Sequence, residues 1–233
     1  MKIKKGMILA AGLGTRLKPI TIKTPKPLIK IGKESLIEKA MNLLINHGVE
    51  EIVINVHHLA DQIEEFIRNK KYKINVVISN EREKLLDTGG GVQKGTKSFK
   101  DQPFVVLNPD TLWVSAYKNE LILLEEMYFK SKKTCLLLVE KNLSLDSSFE
   151  GDFNFINNNI IERQKNNKYI YTGLQILDNS AFNLIEKEKF SMNQVWNKLS
   201  QSENLCGLSS GLKFYHINSR MMLDKINNLN IID

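Results

Sequence analysis

Apolar residues recur along this chain in two alternating textures. Short dense runs at 5–10, Glu51–Val56, 74–79, Phe104–Leu107 and 134–139 read as buried strands. Between them the spacing becomes helical. Leu36, Ala40, Leu43 and Leu44 share one face, as do Leu59, Ile63, Phe66 and Ile67, and 121–128 continues the pattern. Ser35 and Glu38 have the spacing of a capping box, and His47-Gly48 supplies a glycine stop. Strands separated by helices predict an α/β fold, a Rossmann-like doubly wound and mostly parallel sheet with right-handed crossovers. Beyond about residue 140 short strands at 152–155, 159–163 and Tyr169–Leu177 are joined by Asn-rich turns, with short helices near 181–185 and 192–199. No linker or repeat interrupts the chain. Residues 1–233 are therefore expected to form one domain, a core over 1–140 with a small antiparallel extension and C-terminal helices over 141–233.

Composition narrows the function classes only slightly. At 233 residues, 42% hydrophobic and 25% charged, the chain has ordinary globular proportions. No window approaches the roughly 18 consecutive apolar residues of a membrane span. The basic opening MKIKKGMILAAG is too weakly apolar for a secretory signal and is expected to be the first strand of a cytoplasmic protein. Cys135 and Cys206 show neither pairing nor metal spacing and are expected to be buried free thiols. The net charge of +7 suits anionic small molecules. No run alternates basic and aromatic residues, so no nucleic-acid partner is expected.

The candidate chemistry starts at Gly12-Leu13-Gly14-Thr15-Arg16, directly after the first strand. A dinucleotide fingerprint needs a third glycine where Leu17 stands, and the P-loop pattern needs a Gly-Lys-Ser/Thr that Leu17-Lys18-Pro19 does not supply. Pro19, Pro25 and Pro27 each remove a backbone donor. What remains is expected to be an extended, stiffened loop presenting backbone amides with Arg16 and Lys26, suited to wrapping a polyphosphate.

AAGLGTRLKP followed by TPKPLIKIG resembles the signature loop of the sugar-1-phosphate nucleotidyltransferases, the NDP-sugar pyrophosphorylases. The similarity runs on through LLDTGGGV at 85–92, VLNPDTLW at 106–113, EGDF at 150–153 and YTGLQIL at 171–177. The triple glycine and the Gly-Asp-Phe most resemble the N-acetylmuramate-1-phosphate uridylyltransferase branch, with mannose-1-phosphate guanylyltransferase-like proteins close beside it. The resemblance implies the nucleotide-diphospho-sugar transferase fold, with 1–140 binding nucleotide and 141–233 carrying the sugar-binding part. It also implies a cytoplasmic enzyme of nucleotide-sugar biosynthesis and cell-wall (peptidoglycan) recycling, a monomer or homodimer. Its substrates would be a nucleoside triphosphate, UTP or GTP, and a sugar 1-phosphate such as N-acetylmuramate 1-phosphate. The sugar phosphate attacks the α-phosphorus in line and pyrophosphate leaves.

Residue by residue, the resemblance implies that Ala11, Gly12, Leu13, Gly14 and Thr15 hold the triphosphate, largely by amides, and that Arg16 holds the leaving phosphates. Lys26 is implied between the attacking phosphate and the α-phosphate. Asp110, at the carboxyl edge of a strand, is expected to ligate Mg2+. Glu81 is expected at the base or ribose, and Thr88 and Gly89 in a turn on which the base lies. Asn108, Asp152, Glu162, Thr172 and Gly173 are implied on the sugar side. Two departures stand out. Pro109 replaces a small residue, and the segment Phe214–Ser219 offers His216 where the family's Trp-x-Asp-x-Gly-Thr supplies a second metal-binding Asp. Imidazole accepts Mn2+ more readily than Mg2+, so either weaker Mg2+ binding or a preference for Mn2+ is expected. His57 and His58 read as structural or rim residues. A catalytically weakened nucleotide- or sugar-phosphate-binding protein is the alternative; a nicotinamide oxidoreductase would need the missing third glycine and an acid near His57.

Overall fold

A computed structural model describes residues 1–183 and 185–229. Nine strands form one mixed sheet: β1 (Lys5–Leu9), β4 (Glu51–Val56), β5 (Asn75–Asn80), β6 (Phe104–Leu107), β7 (Thr134–Glu140), β8 (Asn154–Asn157), β9 (Ile160–Glu162), β10 (Tyr169–Leu177) and β11 (Leu205–Ser210). The spatial order is β5-β4-β1-β6-β10-β7-β11-β9-β8. Two-residue strands β2 (Lys30–Ile31) and β3 (Glu34–Ser35) make a separate small ribbon. The first four strands of that order pair parallel, as the alternation of runs predicts. Strand β10 runs antiparallel to both neighbours and lies inside the sheet, between β6 and β7. The later, Asn-rich sequence thus supplies a central strand as well as the antiparallel edge β8-β9. The nine residues of β10 form a nearly continuous buried run, as expected of a strand covered on both faces.

The helices are α1 (Ile20–Lys23), α2 (Leu36–His47), α3 (Ala60–Lys70), α4 (Asp87–Thr96), α5 (Tyr117–Ser131), α6 (Met192–Gln201) and α7 (Arg220–Asn228). The capping box at Ser35 and Glu38 is present, and Gly48 ends α2 at φ +104°. Two apolar clusters sandwich the sheet. One packs α2, α3 and α5 residues such as Met41, Ile63 and Leu121, and the other packs Phe99, Phe104, Phe153 and Trp196. Cys135 and Cys206 are free, buried and directly opposite one another on β7 and β11. The helix expected at 181–185 is a 3-10 turn, Asn179–Phe182, and Leu184 lies outside the described residues. Among the described residues no helix is long and apolar enough to cross a membrane.

Candidate active site

The carboxyl ends of β1, β4 and β6 open onto a cleft of about 360 Å³. Its walls come from Ala10 to Leu17, Lys26, Pro27, Asn55, Glu81, Leu85, Asp87, Thr88, Asn108 to Asp110, His216 and Asn218, with Leu13 excepted. Ligands in open α/β sheets bind at this edge.

The opening loop is built differently from the expected extended segment. Three short helical turns, Thr15–Leu17, α1 and Lys26–Leu28, are separated by Pro19 and Pro25. The prolines break helix repeatedly but do not abolish it, because Pro is tolerated in a first turn. Gly14, at φ +62°, reverses the chain, and a Cβ there would lie 2.8 Å from Thr21 Cγ2. The Thr21 hydroxyl donates to Gly14 O at 2.8 Å, and His58 Nε2 bonds Thr21 O at 2.7 Å. Gln62 Nε2 donates to Lys23 O at 3.0 Å. His58 is thus structural, pinning the loop from outside. Ala11, Gly12, Gly14, Thr15 and Arg16 line the cleft, whereas Leu13 is 44% exposed and turns away from it.

Asn55, which no sequence motif marks, joins this loop to Glu81. Its Oδ1 accepts from Ala10 N at 2.8 Å, and its Nδ2 donates to Glu81 Oε1 at 2.7 Å. Glu81 Oε2 accepts from Leu86 N at 3.0 Å, one residue before α4. Glu81 is buried and lines the cleft, held there by these two donors. His57 Nδ1 bonds Glu81 O at 2.7 Å, again a supporting role.

Thr88 reaches the cleft, but Gly89 does not. The glycines of 89–91 sit inside α4, where helix packs on protein. Gly89 N and Gly90 N both donate to Phe190 O, at 2.9 and 3.0 Å. A Cβ on Gly89 would meet the Phe190 ring at 2.4 Å, and one on Gly90 would meet Glu188 O at 2.2 Å. The triple glycine therefore lets α4 approach the 188–190 segment; it leaves no open backbone at Gly89 for a base.

At the centre stands Asp110. Lys26 Nζ lies 2.6 Å and His216 Nε2 3.2 Å from its Oδ2. Burial alone would push this carboxyl up, but the facing Lys26 and His216 overcome it and hold Asp110 well below the usual carboxylate range. The C-terminal segment delivers His216 by backbone pairing: Leu112 N donates to Tyr215 O and Ile217 N to Asp110 O, each at 2.8 Å. The imidazole stacks on Phe214, with centroids 5.9 Å apart and planes 12° apart. Asp110 Oδ1 and Asn218 Oδ1 are buried acceptors without a hydrogen-bond partner. Asn218 spends its Nδ2 on Asp146 Oδ2 at 2.6 Å, which leaves the amide oxygen as the unspent atom. Among the described residues no three His, Cys, Asp or Glu side chains cluster as a ready metal cage.

The sugar-side residues divide. Asn108 lines the cleft, and its amide donates to Gly173 O at 2.8 Å. Gly173, at φ +95°, packs its α-carbon against Asn108, where a Cβ would come within 2.9 Å. Thr172 is buried and its hydroxyl donates to Leu137 O at 3.0 Å, so it is tied into the sheet and not exposed to the cleft. Asp152 lies off the cleft wall, with Oδ2 accepting from Tyr171 N at 2.9 Å. Burial raises its carboxyl, against the opposing effects of that amide, Arg163 and His216. Glu162 lies further out, in a second cavity of about 290 Å³ with Phe153, Arg163 and Trp196.

Residues 5–145 match the family model described as nucleotidyl transferase. An N-acetylmuramate alpha-1-phosphate uridylyltransferase of Caulobacter vibrioides is 29% identical over 222 residues, covering 92% of this chain and 91% of that protein. A mannose-1-phosphate guanyltransferase of Hypocrea jecorina is 36% identical over 121 residues, but this covers 50% of this chain and 33% of that protein. Among solved structures, a UDP-glucose pyrophosphorylase complexed with UDP-glucose superposes with a TM-score of 0.80 over 97% of this chain and 98% of that one, at 19% identity, a likeness of fold. With the model spanning more than half its length and the glycine loop lining a cleft at the carboxyl edge of the sheet, the chain belongs to the nucleotidyl transferase family and is an enzyme of the sugar-1-phosphate nucleotidyltransferase type.

Proposed function

We propose that the chain condenses UTP with N-acetylmuramate 1-phosphate, giving the UDP-sugar and pyrophosphate. The observation that carries this reading is the convergence in one cleft of the Gly12–Arg16 loop, Lys26 and Asp110. The sugar assignment leans on the end-to-end similarity to a uridylyltransferase of that substrate. A sugar-phosphate oxygen forms a new bond to the α-phosphorus while the bond to the bridging β-oxygen breaks, and pyrophosphate departs with that electron pair. No covalent enzyme intermediate is needed, so the protein contributes position and charge. The amides of Gly12, Gly14 and Thr15 face the phosphates, and Arg16 neutralises those that leave. The Lys26 ammonium, held by Asp110, stands where the α-phosphate and the attacking phosphate bring charge together. At an effective dielectric of about 20, a cation ~4 Å from one phosphate charge contributes about 4 kcal/mol.

The unspent oxygens Asp110 Oδ1 and Asn218 Oδ1 fit one hard divalent cation that keeps several waters and phosphate oxygens. Bound there, Mg2+ or Mn2+ would supply further neutralisation of phosphate charge. His216 Nδ1, buried and without a hydrogen-bond partner, is the imidazole donor that would tilt this site toward Mn2+. Activity should therefore reach its maximum at lower Mn2+ than Mg2+; equal responses at low concentrations of both ions would remove the imidazole from the site.

Guanylyl transfer to mannose 1-phosphate is the second reading, favoured by the 36% identity to a guanyltransferase over half the chain. Pyrophosphate release from four nucleoside triphosphates against muramate-, glucose-, mannose- and glucosamine-type 1-phosphates decides between them. The largest kcat/KM is expected for UTP with the muramate type. Binding without turnover in every combination would leave a nucleotide-binding protein instead.

A further inference from the structure

The second cavity holds a cation on which the Asp152 carboxylate acts only from a distance. Arg163, one residue beyond β9, lays its guanidinium on the rings of Phe153 and Trp196, at 5.0 and 5.8 Å from the centroids. Its Nη2 donates to the neutral Asn193 Oδ1 at 2.6 Å, and among the described residues it makes no ion pair. Phe153 and Trp196 are buried beneath it, so the planar cation is seated on a rigid aromatic floor. A guanidinium fixed in this way presents a fork of N–H donors suited to a planar carboxylate.

A chain of contacts through β10 links this cavity to the cleft. The Tyr171 ring packs edge-on against Trp196 at 4.8 Å, and the Tyr171 amide donates to Asp152, the residue before Phe153. Two residues further on, Gly173 O accepts from Asn108 N of the cleft wall. On the α6 side, Asn193, which holds Arg163, follows Met192, whose amide donates to the Thr88 hydroxyl of the cleft wall at 2.9 Å. Asp152 and Glu162 near this path are acceptors fit for hydroxyl and amide N–H groups, and Glu162 Oε1 already takes one bond from Gln164 at 2.7 Å. An acidic substituent has one favourable partner there, Arg163.

We infer that Arg163, in the second cavity, binds a carboxylate carried by the sugar 1-phosphate and so selects acid-bearing sugars over their neutral counterparts. The inference rests on the proposed reading for the sugar phosphate and not for the base. N-acetylmuramate 1-phosphate and N-acetylglucosamine 1-phosphate differ by one lactyl ether, which makes them the test pair. With UTP and saturating metal, the ratio of their kcat/KM values is measured for the wild type, Arg163→Gln and Arg163→Lys. The wild type should favour the muramate by tenfold or more, Arg163→Gln should cut that ratio about tenfold, and Arg163→Lys should recover part of it. An unchanged ratio in a normally melting Arg163→Gln protein, or a wild type that prefers the neutral sugar, would overturn the inference while leaving nucleotidyl transfer intact. If Arg163→Gln does not fold, the ratio for Arg163→Lys against wild type decides the same question. If the wild type turns over neither sugar, the proposed reaction fails. Titration of both sugar phosphates into wild type and variant, followed by Trp fluorescence, then tests Arg163 alone: preferential muramate binding lost on substitution supports it, and equal binding overturns it.

Discussion

Asp110 lies on the cleft wall and Asp152 off it, and their surroundings are opposite in kind. Asp110 is met by the Lys26 ammonium at 2.6 Å and by His216 at 3.2 Å. Asp152 is met by one backbone amide, with Arg163 and His216 acting only from a distance. The first carboxyl is held below its ordinary value and the second is pushed above it. Burial acts in the same direction on both, so the difference measures how much compensating charge each end contains. The Asp110 end has its opposing charges in direct contact. The Asp152 end has a cation without an ion pair among the described residues and an acid that charge offsets only from a distance.

The largest test of this contrast is Lys26→Ala. If the Asp110 end is arranged for the transition state, turnover should fall about 10²–10³-fold with little change in nucleotide affinity, the size seen when one preorganised donor is lost. Single-turnover rates and equilibrium nucleotide binding separate the two effects. Comparable losses in both would reduce Lys26 to a ground-state contact.

Asn55→Ala asks whether the loop and Glu81 form one unit. The substitution strands Ala10 N and removes one of the two donors that hold the buried Glu81. Leaving buried polar groups unsatisfied costs about 1–3 kcal/mol each, so both the melting temperature and nucleotide affinity should drop. A loss of affinity without loss of stability would mean that Asn55 contacts the ligand and does not position the loop.

Gly90→Ala addresses the glycine-rich helix. Its Cβ would lie 2.2 Å from Glu188 O, a backbone atom that cannot swing aside. The clash should outweigh the ~0.5–1 kcal/mol gained by alanine in a helix, for a net loss of about 1–2 kcal/mol. Gly12→Ala, where no heavy atom lies within 4 Å, should melt close to wild type and serves as the control.

The alternation of short apolar runs and 3.6-residue periodicity made the parallel half of the sheet and helix α2 legible in the sequence, because each burial face is written locally. The glycine loop was legible as chemistry, since its residue types and spacing admit few other uses. What lay hidden depended on long-range pairing. Nothing local in Tyr169–Leu177 says that it enters the sheet between β6 and β7, beyond its nearly unbroken burial. The role of Asn55 emerges only when strands β1, β4 and β5 are set side by side. The triple glycine looked like a ligand-facing turn because glycine signals close approach without saying to what, and here the partner is Phe190. The one sequence signal for Asn218 is its place two residues from His216, where the unspent amide oxygen now lies on the same cleft as Asp110.

The smallest effect is also the most direct test of the opposed aspartates, because it is read as a sign. Both start from an ordinary value of 3.8. Asp110 is lowered on folding, so the unfolded chain takes up a proton first as pH falls. Its stabilisation is full above that ordinary value and is lost as pH drops through the folded one. Asp152 is raised, so the folded chain holds its proton longer. Its contribution is full below the ordinary value and disappears as pH rises through the folded one. Asp110→Asn should therefore flatten the acid-side decline of stability, measured by denaturant unfolding from pH 3 to 6. Asp152→Asn should steepen the rise over the lower part of that window, since a term that falls with pH has been removed. Slopes shifting in the same direction in both variants would show that the two ends do not differ in compensating charge.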